Sequence, residues 1–161
     1  MKTINFENIL EDFNFLENWE DKYRYIIDLG KELESYPEDL KDEEHRVIGC
    51  ASQVWFYPKI VEMNDQKIFS FKGDSDAMIV RGLIKILTTI YNETEIQEAS
   101  NIDPYRKLEL LNLKEHHQKL GILMELSFSL NQMLKFLKVG VKLQQMYLHK
   151  NILEKLVLQN I

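Results

Sequence analysis

Apolar residues at Trp19, Tyr23, Ile26, Ile27 and Leu33, with Gly30 among them, recur at helical spacing and predict a helix that starts at Trp19 and ends before Pro37. The next stretch, Glu38 to Glu44, is charged and patternless and reads as an exposed loop. Val54 to Tyr57 is then aromatic and β-branched and stops at Pro58, ahead of a second run from Lys59 to Met63. Asn64-Asp65 reads as a turn, and Lys67 to Phe71 alternates so that Phe69 and Phe71 share one face, which together predict a hairpin and the only clear β-structure. Gly73-Asp74-Ser75-Asp76 is read as the end of the hairpin and the cap of a helix, with acidic groups at the positive end of its dipole. That helix carries Ile79, Val80, Leu83, Ile84, Leu87, Ile90 and Tyr91 on one broad face and is assigned the centre of the core. Thr94 to Gln97 has the form of a capping box, and Asp103-Pro104 puts a cap residue before a proline at the first helical position, so two short helices should follow. Ile122 to Leu137 and Val141 to Leu158 keep apolar spacing suited to two more helices. The expected class is α+β, a small antiparallel sheet covered by helices, with an extra C-terminal helical segment. Trp19 and Trp55 are assigned to the core.

A chain of 161 residues, 45% hydrophobic and 29% charged, suits one globular domain that needs no disulfide or structural metal to fold. The N-terminal residues run into acidic positions without a basic patch and apolar core, so no secretory signal is read. The apolar stretch from Leu120 to Leu130, broken by Glu125, is too short to span a bilayer. Together these make the cytoplasm the expected compartment and a membrane an unexpected partner.

The net charge of −6 is unevenly spread. Residues 1–113 hold 13 basic and 23 acidic residues, a net of −10, whereas residues 114–161 hold 7 and 3, a net of +4. An acidic body repels phosphates and argues against nucleic-acid binding. The basic tail has dispersed lysines and no arginine, the pattern of a solvated helix face.

Candidate chemistry centres on Cys50, the one cysteine of the chain, in Arg46-Val47-Ile48-Gly49-Cys50-Ala51-Ser52-Gln53-Val54-Trp55. A lone thiol cannot form an internal disulfide. It is either a small buried hydrophobe or a reactive carrier thiol. Gly49, Ser52 and Gln53 are either turn residues before a strand or supports of the thiol loop. His45 and Arg46 could favour the thiolate if the loop folds back, while Asp42, Glu43 and Glu44 oppose it, and His45 is otherwise a solvated loop histidine. Asp74 and Asp76 are read as helix caps, with a partner surface as their second reading. His116-His117 points two rings about 100° apart on a helix, a poor metal pair, so no metal site is expected.

Three blocks resemble the SufE family of sulfur acceptors. They are Asn18-Trp19-Glu20-Asp21-Lys22-Tyr23-Arg24-Tyr25-Ile26-Ile27-Asp28-Leu29-Gly30, the Val47 to Trp55 segment, and Gly73-Asp74-Ser75-Asp76-Ala77-Met78-Ile79-Val80-Arg81-Gly82-Leu83-Ile84. The family more often has proline in place of Ile48 and glutamine in place of Ala51. The resemblance runs in register over about residues 6 to 113; beyond Leu113 the family's arginine-containing turn is missing, which reads as divergence or as a shifted reading frame.

The resemblance implies a SufE/IscU-like fold, with a sulfur-acceptor domain over 1–138 and a helical extension over 139–161. It also implies a carrier that binds and stimulates a cysteine desulfurase of the SufS type, accepts sulfur as a persulfide on Cys50, and passes it to the SUF cluster-assembly scaffold. Such a protein is an accessory and not a stand-alone enzyme. The desulfurase would bring pyridoxal phosphate and this chain would bind no cofactor; pairing as a homodimer is a further option. His45, Arg46, Gly49, Ser52 and Gln53 would support the thiol loop, and Asp74 and Asp76 would face the partner. The alternative is a regulatory or interaction module of the same fold that binds a desulfurase without carrying sulfur.

Overall fold

The computed structural model describes residues 3–47, 52–112 and 117–138. The α+β class holds. In chain order the elements are α1 (Phe6–Phe15), α2 (Trp19–Gly30), a 3-10 turn (Glu38–Leu40), β1 (Val54–Met63), β2 (Gln66–Ser75), α3 (Met78–Tyr91), β3 (Thr94–Glu95), α4 (Ile96–Asn101), α5 (Pro104–Leu110) and α6 (His117–Lys138). The segment Val141–Leu158 and the extension 139–161 lie outside the described residues.

The hairpin forms because Asn64 and Asp65 both adopt positive φ, 50° and 62°, which two-residue hairpin loops require and which these residue types tolerate. It sets β1 and β2 in antiparallel register from Met63↔Gln66 to Val54↔Ser75. The sequence breaks the first strand at Pro58, yet β1 runs straight through it. The backbone N–H of Phe56 points away from β2, to the carbonyl of His45 at 3.0 Å. Pro58, two residues on, has its nitrogen on the same outer edge, so the missing N–H costs the β1–β2 ladder nothing. β2 in turn extends to Ser75, beyond the expected end at Phe71.

A third short strand, absent from the sequence reading, pairs with the far edge of β2 through Ile68↔Glu95 and Phe69↔Thr94. Asn92 prolongs that edge with its side chain, accepting from the Phe71 N–H at 2.9 Å and donating to the Phe71 carbonyl at 3.1 Å. The α4 cap is Glu95 and not Thr94: its carboxylate accepts from the N–H groups of Gln97 and Glu98.

Inward residues of β1 and β2, among them Val54, Phe56, Phe69 and Phe71, pack beneath α3. Phe56 and Phe71 meet edge to face with centroids 5.2 Å apart, a pairing that adds roughly 0.5–1.5 kcal/mol beyond its buried area. The apolar face expected of α3 is buried as Val80, Leu83, Ile84, Leu87, Ile90 and Tyr91, with Ile79 partly buried and Gly82 and Ile86 buried as well. Helix α2 crosses α3 where Gly30 meets Gly82; a Cβ on Gly30 would stand 2.8 Å from the Gly82 nitrogen. Helix α2 ends at Gly30, and Leu33 reaches the core through a turn closed by its N–H on the Gly30 carbonyl.

Helix α1, also unread in the sequence, buries Phe6, Ile9 and Phe13 behind a capping box between Asn5 and Asn8. Tyr25 ties α2 to it by donating to Asp12 at 2.7 Å. Helix α6 adds Leu126, Leu130, Met133 and Leu134 to the core, and Tyr91 donates to Asn131 at 3.1 Å. No helix of the described residues is long and apolar enough to cross a membrane.

Candidate functional site: the base of the cysteine loop

Trp55 and Tyr57 alternate with buried Val54 and Phe56 and so face the outer side of the sheet. Both tryptophans are half-buried rather than enclosed in the core; Trp19 packs at its margin. The chain from Glu34 to Arg46 crosses the outer side. Glu34 pairs with Lys72 at 3.5 Å, Lys41 lies over the Trp55 ring at 5.6 Å, and the rings of His45 and Tyr57 are 5.9 Å apart. The stretch Glu38–Glu44 is mostly exposed and irregular, as the sequence reads, apart from the 3-10 turn Glu38–Leu40, and Lys41 fastens it to the sheet.

This crossing ends in an antiparallel bridge, Arg46↔Trp55, made by Val47 N–H on the Val54 carbonyl at 2.7 Å and Phe56 N–H on the His45 carbonyl at 3.0 Å. The bridge closes a connection of six residues, 48–53. Gly49 and Cys50 fall in it, and both lie outside the described residues. Its other end is clasped by Asp76, the residue that follows β2. The Gln53 N–H donates to the Asp76 carboxylate at 3.0 Å, and the Asp76 N–H donates back to the Gln53 carbonyl at 3.3 Å. The connection is thus held at one end by the Arg46↔Trp55 bridge and at the other by Asp76 in the link between β2 and α3.

The match to known proteins extends across this architecture. The family model described as SufE, an Fe-S metabolism associated domain, matches residues 7–135. The chain belongs to the SufE family. An uncharacterized SufE-like protein of Rhizobium etli is 41% identical over 110 residues, covering 68% of this chain and 74% of that protein. Another from Rhizobium meliloti is 41% identical over 110 residues, covering 68% of this chain and 79% of that one. Membership associates the protein with iron–sulfur metabolism. The matched span passes Leu113, where the resemblance read from the sequence stops.

Within the SufE domain the two aspartates do something other than cap a helix. The N-cap of α3 is Ala77, with no capping side chain. Asp76 serves the Gln53 clasp instead. Asp74, with 15% of its side chain exposed, takes Lys41 Nζ at 3.0 Å and sits 3.3 Å from Arg81 Nε, and its Oδ1 accepts from the Ser75 N–H at 2.8 Å. Arg81 Nε is near enough to attract the carboxylate but is not aligned for a hydrogen bond. Lys41 also reaches Glu38 at 2.8 Å; hydrogen bonds to Glu38 and Asp74 raise its pKa above the ordinary lysine value against the opposing effect of desolvation. Asp74 is therefore the inner anion of a network that ties the outer crossing, the sheet and α3 together.

His45 also departs from the sequence reading. It is buried, 7% exposed, and not solvated. The Asp42 carboxylate lies 2.7 Å from its ring Nδ1 and accepts its backbone N–H at 2.9 Å. Desolvation pushes the Asp42 carboxyl up, but the hydrogen bonds from the His45 ring and backbone outweigh it, and the net shift is below the ordinary aspartate value. Arg46 is half-buried at the bridge and pairs with Glu43 at 3.4 Å; Ser52 is half-buried and Gln53 exposed.

Of the sequence-predicted residues, the fold gathers His45, Arg46, Ser52, Gln53, Asp74 and Asp76 around the two ends of one connection. Lys41, Asp42 and Arg81 were missed as site residues. The spacing Asp42-x-x-His45 was a usable signal for one of them, whereas Lys41 and Arg81 become visible only once the sheet brings them to Asp74.

Proposed function

We propose that this SufE-family protein accepts sulfane sulfur from a cysteine desulfurase as a persulfide on Cys50, stimulates that desulfurase, and passes the sulfur to iron–sulfur cluster assembly. The observation that carries this reading is the family match over 7–135, which includes the one cysteine of the chain in a connection braced at both ends. The chemistry is thiol–persulfide exchange. The Cys50 thiolate attacks the outer sulfur of the donor persulfide, a new S–S bond forms on Cys50, and the donor sulfur leaves as thiolate. A single thiol suits a carrier, since a second one nearby could expel the sulfur by closing a disulfide.

In this reading the protein works in the cytoplasm, binds no cofactor of its own, and meets a desulfurase that uses pyridoxal phosphate. The test is intact mass after mixing the protein with a desulfurase and L-cysteine, beside Cys50→Ser. A thiol-reducible gain of about 32 Da per sulfur atom transferred, lost in Cys50→Ser, is expected. Complex formation without that gain would replace the carrier by a regulatory binding module.

A further inference from the structure

The far edge of β2 is covered unevenly. β3 pairs with it only at Ile68 and Phe69, and the Asn92 side chain takes both backbone groups of Phe71. Gly73 lies two residues further on, and strand alternation turns its N–H and carbonyl to that same edge. The β1 side agrees: Gly73 stands opposite Phe56, whose N–H goes outward to His45 and not across the ladder. Opposite residues of an antiparallel pair either exchange both bonds or turn both groups away, so Gly73 turns away from β1. No described residue bonds to its N–H or carbonyl at the open edge. A cavity of about 300 Å³ wraps this edge, between residues 3–5, Leu33 and Glu34, β2 and the second half of α3. That volume suits a small molecule.

The polar groups at the cavity are of two kinds. Lys85 Nζ is a donor that reaches only the Glu32 carbonyl, at 3.5 Å and outside the usual hydrogen-bond range, and it enters no ion pair among the described residues. The Gly73 N–H is a second donor. Lys72 is already paired with Glu34 at 3.5 Å. On the acceptor side, the hydroxyls of Thr88 and Thr89 donate to the carbonyls of Lys85 and Ile86 at 2.6 Å, so each presents only oxygen lone pairs to a ligand. The Gly73 carbonyl and the exposed Glu93 carboxylate add to them. A simple anion would meet the donors and leave these acceptors to water, and a simple amine would do the reverse. We propose that this cavity is a binding site for a free α-amino acid. Its carboxylate takes Lys85 Nζ and the Gly73 N–H, and its ammonium donates to the threonine hydroxyls, the Gly73 carbonyl and Glu93. The site uses no part of the cysteine connection, so it stands or falls apart from sulfur transfer.

The test is a titration of the full chain with L-alanine at constant ionic strength, read from backbone amide NMR shifts. A ligand of this size reaches a Kd on the order of 1 mM at the efficiency usual for small ligands. The Gly73, Thr88 and Thr89 amides should shift saturably on that scale, while the amides at the hairpin tip, Met63 and Gln66, stay in place. Propionate, which lacks only the ammonium group, should bind roughly tenfold more weakly, and so should L-alanine to Lys85→Met, which keeps the stem and removes the charge. A Gly73 amide that has not moved by about 20 mM L-alanine overturns the site. Propionate or inorganic phosphate binding as tightly as L-alanine overturns the amino-acid assignment, and so does an unchanged affinity in folded Lys85→Met. If Lys85→Met fails to fold, the propionate comparison on the wild-type protein decides alone.

Discussion

Gly82→Ala should be among the most damaging small substitutions in this protein, although alanine is the best helix former and the site is mid-helix. An added Cβ at Gly82 would fall inside contact distance of the Ile26 carbonyl oxygen and 2.6 Å from the Ile26 carbonyl carbon. These are backbone atoms of a helix, so no side-chain rotation relieves the overlap. Helices α2 and α3 would have to move apart by roughly 1 Å, loosening the packing around Ile26, Leu29 and Leu83 at a cost of about 3 kcal/mol, the upper end for overpacked cores. Alanine returns about 1 kcal/mol in helix propensity. The net loss is then roughly 2 kcal/mol, a large share of the ~5–15 kcal/mol by which domains are stable. Equilibrium urea unfolding followed by circular dichroism should show the midpoint falling by about 1 M, for a slope near 2 kcal/mol/M. A Gly82→Ala midpoint equal to or above wild type would show that the close crossing of α2 and α3 is not what makes glycine necessary here.

Two further outcomes follow from the site. Asp76→Ala removes the carboxylate from the Gln53 N–H, a charge-assisted bond worth about 1.5–3 kcal/mol. Native-state hydrogen exchange should then quicken at the Gln53 amide by tenfold or more while the core amides of α3 stay protected, and an unchanged Gln53 rate would show that Asp76 does not hold the connection. Asp42, whose folded pKa is depressed, contributes stability that is present above its unfolded value near pKa ~3.9 and lost as pH falls through the lower folded value. Urea midpoints of Asp42→Asn should accordingly decline less than those of wild type between about pH 4 and pH 2, and parallel declines would refute the assignment.

The parts of the fold legible in the sequence are those fixed by local rules. Asn64-Asp65 supplies positive φ, and the spacing from Ile79 to Tyr91 supplies a face. Local rules also produced the errors. Acidic residues before an apolar helix look like caps, but Asp74 and Asp76 are claimed by Lys41, Arg81 and Gln53, and the Asp76–Gln53 contact spans 23 residues of sequence. Surrounding charge made His45 look solvated, whereas its turn folds the Asp42 carboxylate onto it and buries the ring. Pro58 looked like a strand end because the outward side of its nitrogen is known only from the bridge at His45. Phe6, Ile9 and Phe13 do follow helical spacing, with Glu7, Glu11 and Asp12 on the exposed side of α1.

The two ends of the cysteine connection answer to different parts of the molecule, and this couples the core to the site. The Val47–Val54 end belongs to the sheet and would keep its register through a change in helix packing. The Gln53 end is held by Asp76, in the two-residue link between β2 and α3, and the position of α3 over the sheet is set by the Gly30–Gly82 crossing. Arg81 directly precedes Gly82, and its Nε lies against Asp74 on the sheet. A displacement of α3 large enough to admit a Cβ at Gly82 therefore pulls on Arg81–Asp74 and Asp76–Gln53 together while leaving Arg46↔Trp55 in place. In folded Gly82→Ala at low denaturant, the Gln53 amide should lose exchange protection before the Val47 and Phe56 amides do. Equal loss at all three would mean that the bridge and the clasp are one unit, and that the connection is anchored by the sheet alone.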